Sequence, residues 1–358
     1  MMDKLDMMYY VRQEQEINQR VIENSYKNLD KFKDHIKGKK YRSIIIYATG
    51  SSANAANSAR IYMQNILDMP VYIKEPSLAK SYEMFLDRDS LYLAISQGGH
   101  SYSTVELVRE INRLGYDIFP ITSDIQSPIA KLDVTALDIG MGKEEMPFVT
   151  AGQTATVVFL WLIALNMALA NGEIYQAEFD DEILRLKNVI NQADKVIELT
   201  DSWYERERDS LLKAKRLVAV SYGAGYGVVK EAETKFTETI RVPSHGHELE
   251  EYMHGPYIGL DKDDYIFLVG LEGKLESRLL KLKEFLDLHV EHTYLISTGK
   301  RGEDKRDLNL DLDVDEYFAP ILATIPFHMI SWYMSQELGV DLKKSSYPDF
   351  DKMLNSKI

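Results

Sequence analysis

Short apolar runs recur along the chain, each bounded by glycine, serine or charged residues. Each is followed by a longer stretch whose apolar positions return every three or four residues. SIIIYA at 43–48, PVYIKEP at 70–76, SLYLAIS at 90–96, DIFPITS at 117–123 and VTALDIG at 134–140 have the length and branched content of strands covered on both faces. AANSARIYMQNILD at 55–68 and TVELVREINRLG at 104–115 carry a helical period. SPIAKL at 127–132, with Pro128 in its first turn, predicts a short helix. Residues 1–38 read as an amphipathic helical segment that ends at Gly38. The most apolar run, ATVVFLWLIALNMALA at 155–170, falls short of the roughly 20 residues a membrane span needs. It is expected to be a helix buried in a domain core or at a subunit interface.

The pattern then repeats. RLVAVSYGAGYG at 216–227 matches SIIIYATGSSAN, and DDYIFLVGLEG at 263–273 matches DSLYLAISQGG. HTYLIST at 292–298 matches YDIFPITS, and 309–339 matches 136–172. Four ordered matches at one nearly constant offset make the chain two copies of one unit. Strands alternating with helices imply an α/β fold, a parallel sheet covered on both faces. The expected organisation is an N-terminal helical segment (1–38), a first domain (39–172), a charged helical linker (173–213), a second domain (214–342) and a C-terminal tail (343–358).

Two loops in the first copy follow strands and open helices. TGSSANA carries Gly50, Ser51 and Ser52; SQGGHSYST carries Ser96, Gln97, Gly98, Ser101 and Thr104. Hydroxyls, an amide and bare glycine N–H groups at a helix start favour an anion. Either loop alone could be ordinary N-capping; the pair in one copy points to phosphate. No GxxxxGK[ST] loop is present. GAGYG at 223–227 is not a dinucleotide fingerprint, and the duplication explains it as the sibling of TGSS without the serines. The net charge of −14 argues against nucleic acid or an anionic membrane as partner, so the phosphate site must be built from neutral donors and helix ends. The chain has no cysteine, which excludes disulfides, thiolate metal sites and a thiol nucleophile. No secretory leader is legible at the start, and a cytoplasmic location is expected.

The second copy carries its ionisable groups elsewhere. Glu231, Lys235 and Glu238 share a helix face, a pattern more often found on a solvated surface. His245, His247 and His254 fall within SHGHELEEYMHGP, beside Glu251. HxH could place two imidazoles on one strand face, but no third metal ligand offers itself, and no metal or other cofactor is expected.

These motifs together resemble the SIS family of phosphosugar-binding domains, in particular the isomerase half of glutamine–fructose-6-phosphate aminotransferases and the fructosamine-6-phosphate deglycases. The family's CGTSxxA loop matches Thr49–Ala55, its SQSGxTxDT loop matches Ser96–Thr104, and its KxxE…E…HGP pattern matches Lys235, Glu238, Glu251 and His254–Pro256. The resemblance implies two tandem SIS-type domains. It also implies a sugar 6-phosphate held by Ser51, Ser52, Ser96, Gln97 and Ser101, and proton transfer by Glu238. His254 would be supplied across a homodimer by the other subunit, and Lys235 stands at a lysine of the active-site helix. A tail lysine, Lys352 or Lys357, would lie over the site. Three departures stand out: Gly98 replaces a serine, His100 replaces a glutamate, and Val149-Thr150-Ala151 lacks the family's STK lysine.

The resulting expectation is a phosphosugar enzyme acting by metal-independent acid–base catalysis. Its first reading is a deglycase for a 6-phosphorylated sugar–amine adduct such as fructoselysine or glucoselysine 6-phosphate. The alternative is a ketose/aldose or amino-sugar phosphate isomerase or deaminase. A phosphosugar sensor without chemistry is the third reading, and the segment before Gly38 is too short for the DNA-binding module such sensors carry.

Overall fold

The computed structural model describes residues 4–300 and 304–358. Ten strands form two five-stranded sheets. The first holds β1 (Ser43–Tyr47), β2 (Val71–Lys74), β3 (Ser90–Ile95), β4 (Ile118–Thr122) and β5 (Leu137–Asp138), ordered β2-β1-β3-β4-β5. The second holds β6 (Leu217–Ser221), β7 (Ser244–Glu248), β8 (Tyr265–Gly270), β9 (His292–Ser297) and β10 (Leu308–Asn309), ordered β10-β9-β8-β6-β7. Every pairing is parallel. With β6 to β10 taken as copies of β1 to β5, the two orders are the same order, as the internal duplication requires.

The α-helices are α1 (Met7–Val11), α2 (Glu14–Asn28), α3 (Asp30–Ile36), α4 (Ser51–Leu67), α5 (Pro76–Tyr82), α6 (Tyr102–Arg113) and α7 (Ala151–Asn171). They continue with α8 (Gln176–Ile190), α9 (Ala193–Leu211), α10 (Gly225–Lys235), α11 (Leu249–Met253), α12 (Glu276–Leu286), α13 (Pro320–Glu337) and α14 (Phe350–Leu354). The chain divides into two compact units. One comprises Glu16–Glu145, Ala151–Arg185 and Lys344–Ile358; the other comprises Met1–Gln15, Met146–Thr150 and Leu186–Lys343. The first sheet lies in the former unit and the second in the latter. The N-terminal helical segment therefore does not behave as one piece: α1 belongs with the second sheet's unit, and α2 and α3 with the first's.

Strand composition explains the layering. Every residue of β3 and of β8 is buried, as parallel strands with helices on both faces must be. On one side of the first sheet, Ile45, Tyr47 and Tyr92 pack with Val105, Val108 and Ile111 of α6. α4 and α7 pack against each other in the same unit. α7 runs for 21 residues, so length does not exclude it as a membrane span, contrary to expectation. It is nevertheless a core helix, with 83% of its most apolar window buried.

Two local expectations need correction, and one helix went unread. Residues 7–36 form three helices rather than one. SPIAKL forms successive turns and no helix, and the Ile129 N–H donates to the Gly99 carbonyl at 3.2 Å. PVYIKEP is followed by α5, which starts on Pro76 with the Glu75 carboxylate accepting from Leu78 N–H at 2.7 Å.

Candidate functional site

In the first sheet the strand order reverses between β1 and β3, and ligands of such sheets sit at that switch point, beyond the strands' carboxyl ends. The loops leaving these two strands are the ones carrying the serines. Gly50 takes φ 57° and turns the chain so that Ser51 and Ser52 open α4. Gly223 takes φ 55° at the matching place after β6, so the same backbone turn serves both copies.

The loop after β3 is braced from within. Gly99 has φ 74°, and a Cβ there would stand 1.9 Å from Ser127 Oγ, so only glycine fits. Ser96 Oγ accepts from Ser101 N–H at 3.3 Å, and Thr104 Oγ1 donates to Ser101 Oγ at 2.9 Å. Gln97 Nε2 donates to Ser123 Oγ at 3.0 Å, and the Gln97 carbonyl accepts from Thr122 Oγ1 and Ser123 Oγ, each at 3.0 Å. The predicted residues thus separate into two groups. Thr104, Ser96 and Gln97 are buried and hold the loop's shape, whereas Ser51, Ser52 and Ser101 are partly open and Gly98 is exposed with free space at its missing Cβ.

The C-terminal tail lies along this loop. Lys357 bridges Ser101 in antiparallel register. The Ser356 carbonyl accepts from Tyr102 N–H at 3.2 Å, and Ile358 N–H donates to the His100 carbonyl at 3.1 Å. Lys352, in α14, is exposed. Of the two candidate tail lysines, Lys357 is the one beside the loop. At the start of α7, the carboxylate of Glu144 accepts from Gly152 N–H at 3.0 Å. Glu144 and Gln97 both crowd the position a Gly152 Cβ would take.

The second sheet's unit presents a different chemistry. α10 leaves the β6 turn and passes at Phe236 into a π-helical turn, Phe236–Ile240. Arg241, with φ 66°, closes it by donating its N–H to the Phe236 carbonyl at 3.0 Å. π-Turns inside helices are frequent at functional positions because they re-aim one side chain. Here Glu238 lies in the π turn, its side chain about one-third exposed, while Lys235 just before it is wholly buried. Lys235 Nζ donates to Glu238 Oε2 at 2.6 Å and stands 3.6 Å from Glu231 Oε1, which is also wholly buried. The shared helix face read as an ordinary charged surface is therefore mostly interior.

A fourth member was missed. His328 of α13 is fully buried, its Nε2 3.6 Å from Glu231 Oε1, and among the described residues neither ring nitrogen has a hydrogen-bond partner. Burial pushes its pKa below the usual imidazole range, against the upward pull of Glu231. The available signal was a lone histidine in an apolar helix.

His254 caps α11 and is exposed. Among the described residues it makes no ion pair or hydrogen bond to Glu238 or Lys235. Glu251 is exposed and borders a cavity of about 470 Å³ together with His245, His247 and Glu248. The two imidazoles lie nearly parallel, ring centres 6.0 Å apart, on alternate positions of β7. Among the described residues no group of three or more metal-ligating side chains exists.

The loops of the second sheet that match the serine loops are filled by the protein itself. Tyr222 Oη accepts from Leu271 N–H at 3.1 Å and Gly273 N–H at 2.9 Å, and donates to Glu276 Oε2 at 2.5 Å. Glu276 Oε2 also accepts from Glu272 N–H at 3.2 Å. A carboxylate and a phenol occupy backbone donors of the loop after β8.

Fold and loops together define a duplicated parallel α/β protein with hydroxyl-lined helix starts at the switch point of its first sheet. Residues 39–170 match the SIS domain family. It is 26% identical to a candidate phosphosugar isomerase from Clostridium difficile 630, whose solved structure superimposes with TM-score 0.88 over 98% of each chain. The C-terminal domain of glucosamine-fructose-6-phosphate aminotransferase from Francisella tularensis shares the fold at 20% identity, TM-score 0.85, over 94% of this chain and 96% of that one. The glutamine–fructose-6-phosphate aminotransferase of Clostridium tetani is 22% identical over 308 residues, 85% of this chain and 50% of that protein. The chain spans about half the length of the curated relatives it matches.

Proposed function

We propose that the protein cleaves a 6-phosphorylated sugar–amine adduct of Amadori type, releasing a sugar 6-phosphate and a free amine. The first copy grips the phosphate through Ser51, Ser52, Ser101 and the loop amides, that of Gly98 among them, with Ser96, Gln97 and Thr104 setting the loop's form. The second copy supplies the acid–base groups, Glu238 with Lys235, and His254 acts from the partner subunit of a homodimer. The observation that carries this reading is the Lys235–Glu238 pair: a wholly buried ammonium 2.6 Å from a carboxylate that alone of the two reaches solvent. Such a lysine holds the Glu238 carboxylate in one orientation, which proton abstraction from a fixed carbon requires.

The chemistry follows from the open-chain adduct. Glu238 removes a proton from C1, next to the C2 carbonyl, giving an enaminol. Return of a proton at C2 gives the C1 imine. Water adds to C1, a proton reaches nitrogen, and the C–N bond breaks to leave the aldehyde of the sugar and the amine. An imidazole suits ring opening and nitrogen protonation near neutral pH. Holding the phosphate away from C1 and C2 lets remote binding energy orient them.

The alternative is isomerisation or deamination of a hexose or amino-sugar 6-phosphate, which uses the same C1–C2 proton transfer.

The test is incubation with fructoselysine 6-phosphate, glucoselysine 6-phosphate, glucosamine 6-phosphate and fructose 6-phosphate, followed by assay for sugar phosphate, amine and ammonia. Release of amine from an adduct, lost by about a hundredfold or more in Glu238→Gln, is the expected result. Turnover of fructose 6-phosphate or glucosamine 6-phosphate alone would select the alternative. Binding without turnover of any of them would make the protein a sensor.

A further inference from the structure

We propose that His328 is a positioning residue of the acid–base site: its imidazole N–H holds the Glu231 carboxylate against Lys235 and, through Lys235, keeps Glu238 aimed at substrate. This rests on the reading of Glu238 as the proton-transferring group. The four side chains form one line, His328 to Glu231 at 3.6 Å, Glu231 to Lys235 at 3.6 Å and Lys235 to Glu238 at 2.6 Å. The first three are wholly buried and only Glu238 reaches solvent.

An imidazole buried with both nitrogens bare is unfavourable, and an apolar side chain would fill the same space without that cost. The acceptor in its reach is Glu231 Oε1, a few tenths of an ångström beyond hydrogen-bond distance. The two helices that carry these groups are tied together one turn away. Thr239 Oγ1 donates to the Lys235 carbonyl at 2.7 Å and lies 3.3 Å from the Ser331 carbonyl of α13.

The surroundings leave His328 no other charged partner among the described residues. α10 contributes Glu231 and Lys235, and the π turn contributes Glu238. On α9, Asp201 bonds Tyr333, while Tyr204 and Arg208 bond Glu337. α1, MMYYV, carries no formal charge. Burial keeps the ring neutral, so one nitrogen donates and the other does not.

Two measurements on the full-length chain decide it. The first is side-chain nitrogen NMR of histidines in the unliganded protein, compared with Glu231→Gln and, should that variant fold poorly, Glu231→Asp. A His328 signal of one neutral tautomer that moves in the Glu231 variant is expected; an unmoved signal overturns the proposal. The second is kinetics of His328→Leu and His328→Gln on whichever phosphosugar the wild type turns over. Leucine should lower kcat about tenfold or more, the loss of one hydrogen bond to a charged group, with KM changed less than about twofold. Glutamine, which keeps an N–H donor, should restore most of kcat. Equal activities for the two variants would overturn the positioning role. A wild type inactive on every phosphosugar would count against the Glu238 reading instead, and the NMR comparison would still decide whether His328 is coupled to Glu231.

Discussion

The two copies use the same sheet order and the same glycine turn, at Gly50 and at Gly223, yet end their strands in opposite ways. In the first copy the turn delivers Ser51 and Ser52, and the loop after β3 presents Ser101 and an exposed Gly98. In the second, Tyr222 and Glu276 occupy the N–H groups of Leu271, Glu272 and Gly273. An anion-binding turn left unused must find its own acceptors, because buried backbone donors without partners are costly. The second copy has built an anion into itself. Its α10 buries Glu231 and Lys235, whereas the first copy's α4, SSANAANSARIYMQNIL, has no charged residue among its buried ones.

The strongest way to break this comparison is to strip the first copy's donors. The double variant Ser52→Ala and Ser101→Ala removes two hydroxyls from a charged ligand. It should weaken binding of a sugar 6-phosphate by about a hundredfold, taking roughly 1.5 kcal/mol for each bond. Calorimetry or fluorescence titration reads it. Ser221→Ala in the second copy, where the hydroxyl donates to the Val269 carbonyl at 2.8 Å, should leave that affinity unchanged. Equal losses from both copies would erase the distinction.

Tyr222→Phe should have the converse signature. It leaves the Leu271 and Gly273 N–H groups without their acceptor and is expected to cost about 1–3 kcal/mol of stability. Phosphate affinity should stay within about twofold of wild type. A chemical denaturation series with and without sugar phosphate separates the two effects.

The smallest difference concerns acid. A neutral buried imidazole binds its proton more weakly in the folded chain than in the unfolded one, where the pKa is about 6.5. Stability then falls as pH drops below that value, because the unfolded state takes up more protons. His247 and His292, whose pKa values are also lowered first of all by burial, act in the same direction. Wild type should lose more stability than His328→Gln between about pH 7 and pH 5. Parallel melting curves across that range would show that His328 is not held neutral.

Much of this was legible in the residues. Repeated strand-turn-helix blocks fixed two like parallel sheets, and the hydroxyl spacing marked the first copy's loops. What the pattern could not show was depth. Glu231 and Lys235 look like any solvated helix face, and they are interior because α13 covers them. His328 lay in an apolar run with nothing adjacent to mark it. The π turn leaves no trace in periodicity, because it inserts its extra residue within one turn. SPIAKL carried a good helix start and yet forms only turns, joined to the loop after β3 by the bond from Ile129 to Gly99. Tyr222, read only as part of a degenerate glycine loop, turned out to be the group that closes it.

The division of labour between the copies is tested most directly by a crystal structure of the protein soaked with glucose 6-phosphate. The account predicts the phosphoryl group against Ser51, Ser52 and Ser101, with the loop from Gly270 to Glu276 still holding its own carboxylate and phenol. Phosphate displacing Glu276 from the second loop, or ordered sugar phosphate bound away from the serine loops, would contradict it.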